Sequence, residues 1–222
     1  MTEQASKLMK EHYDFKDLVA LMELLRSEEG CPWDRAQTHE SIRKNLIEEC
    51  YEAIEGIDRK DDELLCEELG DILLQVVFHA QIAQDEGAFT MERVIDGICR
   101  KMVRRHPHIF SDENYSEELK AESAYFRWEQ IKQAEKDETN LESSLDRVAR
   151  TLPSLMRSQK LIKKAVQAGR QTSGERTDKE ELRKRYEALC LDAEASGVEL
   201  GYRFNEDYIR SKATEGKKTD EN

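Results

Sequence analysis

Four acidic side chains, Glu49, Glu52, Glu68 and Asp71, are the residues of this chain best arranged for chemistry. They fall in two pairs, Glu49 with Glu52 and Glu68 with Asp71, each spaced i, i+3. On an α-helix that spacing puts both carboxylates of a pair on one face. Two such helices packed antiparallel turn the pairs toward each other and make one cluster of oxygens. Carboxylates at close range repel, and a bound cation relieves the repulsion. All-oxygen ligation suits Mg²⁺ or Mn²⁺ rather than zinc, and Mg²⁺ held by a few carboxylates usually also binds phosphate.

The elements that must position these acids are legible as helices. Phe15, Leu18, Val19, Met22 and Leu25 recur at helical period, and Gly30-Cys31-Pro32-Trp33-Asp34 breaks the pattern as an ordered loop. Thr38 is placed to cap the next helix, which runs to about Ile57 with Ile42, Leu46, Ile47, Ile54 and Ile57 inward. The polar stretch Asp58 to Asp62 is short, so the following helix folds back antiparallel. That helix spans about Glu63 to Asp85, and its segment Ile72 to Ala80 is apolar nearly all round. A helix with no polar face is buried on every side, which in so small a domain predicts a two-fold dimer interface. Gly87 ends it, Thr90 opens a helix through Val103, and Pro107 stops that one. Residues 116–138 form a further charged helix carrying Tyr125, Phe126 and Trp128.

Past about residue 140 the character changes. Residues 157–185 hold ten Lys/Arg against four Asp/Glu, and Gly169 to Thr177 reads as a loop. Helical patterns resume at about 179–195 and 201–213, and 214–222 reads as a disordered tail.

Composition narrows the class. The 222 residues are 37% charged with 3 prolines and 10 glycines, which favours a helical, cytoplasmic protein. A net charge of −13 argues against general nucleic-acid binding. It leaves room for a small anionic substrate when a metal supplies local positive charge. Five cysteines without CxxC spacing fit reduced thiols in a reducing compartment. No stretch reaches the roughly 18 apolar residues that span a bilayer, and the first residues lack the apolar region of a signal peptide.

The blocks GCPWDRAQTHESIRKNLIEECYEAIEG, EELGDILLQVVFHAQIAQDEGAF, KMVRRHPHIF and RWEQIK, in that order, closely resemble the MazG family of nucleoside triphosphate pyrophosphohydrolases. The family's acidic signature matches Glu48, Glu49 and Glu52, then Glu68 and Asp71, and the likeness covers about residues 12–136. An isolated ExxE is weak evidence, because helix surfaces are full of it; the blocks in order are strong evidence. The resemblance implies an all-α, dimeric fold with a four-helix core in residues 1–138. It also implies Mg²⁺-dependent hydrolysis of a nucleoside triphosphate to monophosphate and pyrophosphate. Full-length members carry two such domains in tandem. Here Leu152 to Lys164 and Arg203 to Arg210 resemble the opening and closing of the second, with no second acidic signature between them. Asp207 stands where a lysine is expected. Residues 139–213 therefore read as a shortened, degenerate second region without metal.

The expected chemistry assigns roles. Glu49, Glu52, Glu68 and Asp71 hold metal. Glu48, one residue off that face, either activates the attacking water or makes a second metal contact. Lys101 shares a helix face with Arg104 or Arg105, and arginine suits bidentate phosphate contact. By resemblance Lys101 and Arg105 are favoured. Trp128 is the first choice for stacking the base and Trp33 the second, with Lys132 at i+4 from Trp128 toward phosphate. Stacking tolerates many bases, since each has a π-face. His79 reads as an interface histidine, and His106 and His108 as anchors of a turn. The leading function is a house-cleaning or regulatory pyrophosphohydrolase. GCPWD and RRHPH favour it over dUTP- or dCTP-selective and phosphoribosyl-ATP enzymes on related scaffolds. A non-catalytic module binding nucleotide or a protein partner is the alternative from another class.

Overall fold

The computed structural model describes residues 2–110, 121–135, 141–168 and 177–197. The described residues are helical, without a strand. The expected helix at 201–213, the tail, and most of the 169–177 loop lie outside them. The chain divides into two compact units, Met1–Ser116 and Glu117–Asn222.

The first unit contains α1 (Glu3–Lys7), α2 (Phe15–Arg26), α3 (Pro32–Ala36), α4 (Arg43–Arg59), α5 (Asp62–Asp85), α6 (Met91–Arg105) and α7 (Pro107–Phe110). α2 begins in a capping box. Asp14 accepts from the Lys16 and Asp17 amides, while Asp17 accepts from the Asp14 amide. Lys10 adds a charged bond to the Asp17 carboxylate. The Gly30–Asp34 segment, read as an ordered loop, turns partly helical: Pro32 occupies the first position of the one-turn helix α3, where its fixed φ suits a helix start. Arg26 ties this corner down, donating to the carbonyls of Asp34 (2.6 Å) and Gln37 (3.1 Å) and pairing with Asp85 at 2.7 Å.

Thr38 does not cap α4. It exchanges bonds with Ser41 in a separate turn, and α4 starts at Arg43 after an Ile42 cap without side-chain bonds. Lys60 in the left-handed conformation (φ 56°) ends α4, and Asp61 caps α5 at once by accepting from Leu64. So tight a link makes an antiparallel hairpin. Contacts between α4 and α5 run in opposite order: Gly56 meets Leu65, the Glu49 carboxyl lies near Asp71, and His39, just before α4, meets His79.

α5 also packs against α2 and α6. The core joins Met22, Ile42, Val77, Phe78, Ala80, Ile82 and Met91, with Phe15, Leu18, Val19, Leu25, Leu74, Val76 and Val94 around it. Burying each large apolar side chain contributes about 1.5–3 kcal/mol. The inward face of α4 differs from the expected one. Ile42 is buried, but Ile47, Ile54 and Ile57 are exposed, and the buried residues of α4 are Ala53 and Gly56. Small residues let the two backbones approach, so the large apolar stripe turns outward. On α5, Leu69 and Leu73 are likewise exposed.

The second unit contains α8 (Ala121–Ala134), α9 (Leu141–Asp146), α10 (Ser154–Gln167) and α11 (Lys179–Ala195). Leu145, Val148 and Leu161 form its small core with Leu152 and Ile162. Lys164 donates to Ser144 at 2.6 Å and Lys163 to the Tyr125 hydroxyl at 3.2 Å, linking α10 to α9 and α8.

Candidate metal centre

The α4–α5 hairpin brings acids of both predicted pairs together. One carboxylate oxygen from each of Glu49, Glu68 and Asp71 lies within 4.8 Å of the others. Glu52, on the exposed side, lies near enough for its charge to raise the proton affinity of Glu49 and Glu68, but it is outside the close group of oxygens. Glu49 and Asp71 are half-buried, and Glu68 is only 8% exposed. Burial, followed by the charge of Asp71, holds the Glu49 carboxyl above the usual carboxylate range. Burial, followed by the charges of Glu52 and Asp71, does the same to Glu68.

One oxygen, Glu68 Oε2, is buried without any hydrogen-bond partner. A buried carboxylate oxygen left so is costly unless a cation meets it. The donor set is all oxygen and supplied by carboxylates, which fits a hard divalent ion such as Mg²⁺ or Mn²⁺. The residues present therefore fit a metal.

The other predicted residues lie elsewhere on the framework. Glu48 is exposed on α4, one position from the cluster's face. Lys101, Arg104 and Arg105 occupy the last turns of α6; Lys101 is half-buried, Arg104 exposed and Arg105 buried, and both arginines are already engaged. Trp33 is 60% exposed on α3. Trp128 and Lys132 belong to the second unit. There the Lys132 ammonium sits 4.8 Å from the centre of the Trp128 ring and pairs with Glu129 at 3.1 Å, and Tyr125 stacks on Trp128. The His106 Nδ1 lies 2.6 Å from the Met102 carbonyl, so this histidine anchors the turn after α6.

Two features of the seam go beyond the sequence reading, in which His79 is an interface histidine and neither His39 nor Gln75 has a role. His39 and His79 meet Nδ1 to Nδ1 at 2.8 Å with stacked rings, and burial together with His39 depresses the pKa of His79. Gln75 is 5% exposed, and its Oε1 is buried without a partner. The signal was present: Glu68, Gln75 and His79 fall at i, i+7 and i+11, one stripe of a helix.

Comparisons with known proteins agree on one family. The model of the MazG nucleotide pyrophosphohydrolase domain matches residues 37–110, which contain the whole cluster. The nucleoside triphosphate pyrophosphohydrolase/pyrophosphatase MazG of Thermotoga maritima is 50% identical over 156 residues, 70% of this chain and 58% of that protein. The nucleoside triphosphate pyrophosphohydrolase of Escherichia coli K12 is 46% identical over 156 residues, 68% of this chain and 57% of that protein. An uncharacterised 26.1 kDa protein of Streptomyces cacaoi is 36% identical over 199 residues, 89% of this chain and 72% of that protein. The chain thus spans a little over half the length of the two named pyrophosphohydrolases.

Proposed function

The chain belongs to the MazG nucleotide pyrophosphohydrolase family, and from that premise we propose that it hydrolyses nucleoside triphosphates to monophosphate and pyrophosphate in a Mg²⁺-dependent reaction. The observation that carries the proposal is the buried, unsatisfied Glu68 oxygen facing an all-carboxylate cluster inside the family's matched span. Glu49, Glu52, Glu68 and Asp71 hold the cation. A divalent ion bound there offsets the negative charge of the triphosphate and polarises its oxygens. Glu48 is exposed beside the cluster and takes the proton from the attacking water, or supplies a further ligand. The water oxygen bonds to the α-phosphorus as the bond from that phosphorus to the bridging oxygen breaks, and pyrophosphate leaves. Lys101 and Arg105, with Arg104 beside them, balance charge on the phosphates. Trp128 is the first candidate ring for stacking a base and Trp33 the second, with Lys132 the candidate toward phosphate. Stacking in place of edge readout makes the enzyme tolerant of several bases, as suits a house-cleaning or regulatory role in the cytoplasm. Among the described residues no helix is long and apolar enough to cross a membrane.

The exposed apolar residues Ile47, Tyr51 and Ile54 on α4, with Leu69 and Leu73 on α5, support a homodimer built on this hairpin. The test of the reaction is chromatographic separation of products from the eight common NTPs and dNTPs, with Mg²⁺ and with EDTA. Monophosphate plus pyrophosphate only with Mg²⁺ is expected. Metal-independent turnover, or release of orthophosphate, would overturn the assignment.

A further inference from the structure

The hairpin seam holds a second unsatisfied polar atom besides the Glu68 oxygen. Gln75 Oε1 is buried without a partner, on a side chain 95% removed from solvent, since its exposure is 5%. Gln75 lies seven residues beyond Glu68 and four beyond Asp71, on the same stripe of α5. His79 follows four residues later and is held by His39 from the segment before α4. The register that sets Asp71 against Glu49 and His79 against His39 puts Gln75 between them, level with the first turn of α4. The amide therefore stands about one helical turn, roughly 6 Å along the axis, from the metal-holding acids.

That position has a chemical meaning. The phosphates of a nucleotide are held at the acids, and the nucleoside must leave them in some direction. An acceptor one turn away is within the span of a sugar or the near edge of a base. Native proteins rarely leave a buried amide oxygen unpaired, and where they do the group is reserved for a ligand, an ion or a water. An amide oxygen accepts a hydrogen bond or meets a cation, and it repels a phosphate; one turn from the acids that hold the metal, a donor on the nucleoside is the partner within reach.

We propose that Gln75 is a specificity-determining residue whose Oε1 accepts a hydrogen bond from the nucleoside part of the substrate, either the ribose 2′-hydroxyl or the exocyclic amine of the base. The proposal rests on the nucleotide reading of the site. It refines that reading, because it adds one point of donor selection to an otherwise tolerant stacking interaction. The His39–His79 pair then closes the far end of the seam and holds the α5 stripe against the segment before α4.

The test measures both turnover and equilibrium binding, on wild type and on Gln75→Met, with ATP, dATP and ITP. dATP lacks the 2′-hydroxyl and ITP lacks the amine. Wild type should lose about tenfold in binding and in kcat/KM when one of these donors is removed, and the substrate affected tells sugar from base. Gln75→Met should lose about tenfold toward the full-donor nucleotide and bind the donor-lacking one as wild type does. Its melting temperature should be unchanged or raised, because an apolar side chain of similar shape removes an unsatisfied group. Wild type indifferent to both removals overturns the proposal whether or not the variant folds. A folded variant that keeps the wild-type discrimination overturns it too. Binding with the expected discrimination but no turnover would uphold Gln75 while refuting the hydrolytic reading.

Discussion

At the scale of single residues, Glu68 bears the greatest conflict between stability and function. Its side chain is buried, one oxygen is unpaired, and Glu52 and Asp71 raise its proton affinity further. Folding tolerates this arrangement at a cost that a bound cation offsets. Glu68→Gln should therefore abolish turnover, by more than about a hundredfold, since a ligand charge is lost. The same variant should melt at or above the wild-type temperature without metal, and it should lose the stabilisation that Mg²⁺ gives wild type. Calorimetry with and without Mg²⁺ reads both effects, and wild-type activity in the variant would break the metal assignment. Asp17 shows the opposite electrostatics. The Lys10 hydrogen bond, then the Asp14 amide, lower its pKa. A depressed carboxylate stabilises the fold above its unfolded pKa, near 3.9, and the benefit is lost as pH falls through the lower folded value. Asp17→Asn should lower the melting temperature at pH 7, and the gap to wild type should shrink as pH drops below about 4. A gap independent of pH would mean that the loss is packing rather than charge.

At the scale of elements, the α4–α5 hairpin is what brings Glu49, Glu68 and Asp71 together out of two separate pairs. Its existence was legible: the i, i+3 pairs, the short polar link and the antiparallel return all follow from spacing. Which face of α4 points inward was not. Counting large apolar residues selects Ile47, Ile54 and Ile57, but the seam is closed by Ala53 and Gly56. Hydrophobicity favours the wrong stripe because close helix approach is governed by small size. A Cβ on Gly56 would lie 2.9 Å from the backbone nitrogen of Leu65 and 3.1 Å from its Cα. Gly56→Ala must therefore spread the helices. Overpacking of about 1–3 kcal/mol outweighs the roughly 1 kcal/mol gained in helix propensity. A lower melting temperature with weaker Mg²⁺ affinity is expected, while a more stable variant of unchanged affinity would show that the seam yields freely. In the GCPWD segment the same holds of proline, since Pro32 starts a helix as readily as it breaks one. His39 and His79, forty residues apart, meet only through the tertiary fold, and no local pattern announces such a pair.

At the scale of the whole molecule, one unit carries the acidic cluster and another, smaller in core, carries Trp128 and Lys132. The change of character was visible in sequence as a shift to basic residues after about 140. The two compact units divide between residues 116 and 117. The segment Ile72–Ala80, the ground for a dimer in sequence, packs Val77, Phe78 and Ala80 into the chain's own core, and the apolar residues that α4 and α5 leave exposed carry the expectation instead. Sedimentation equilibrium should give twice the 25.9 kDa chain mass, and Ile54→Glu should shift it toward monomer. A wild-type monomer at micromolar concentration would remove that proposal without touching the metal centre. Hydrolysis in ¹⁸O-water shows which phosphorus the water attacks, and attack at the α-phosphorus is expected. Mass spectrometry of the products should find the label in the monophosphate and none in pyrophosphate. Label in pyrophosphate would place the attack at the β-phosphorus and contradict the account.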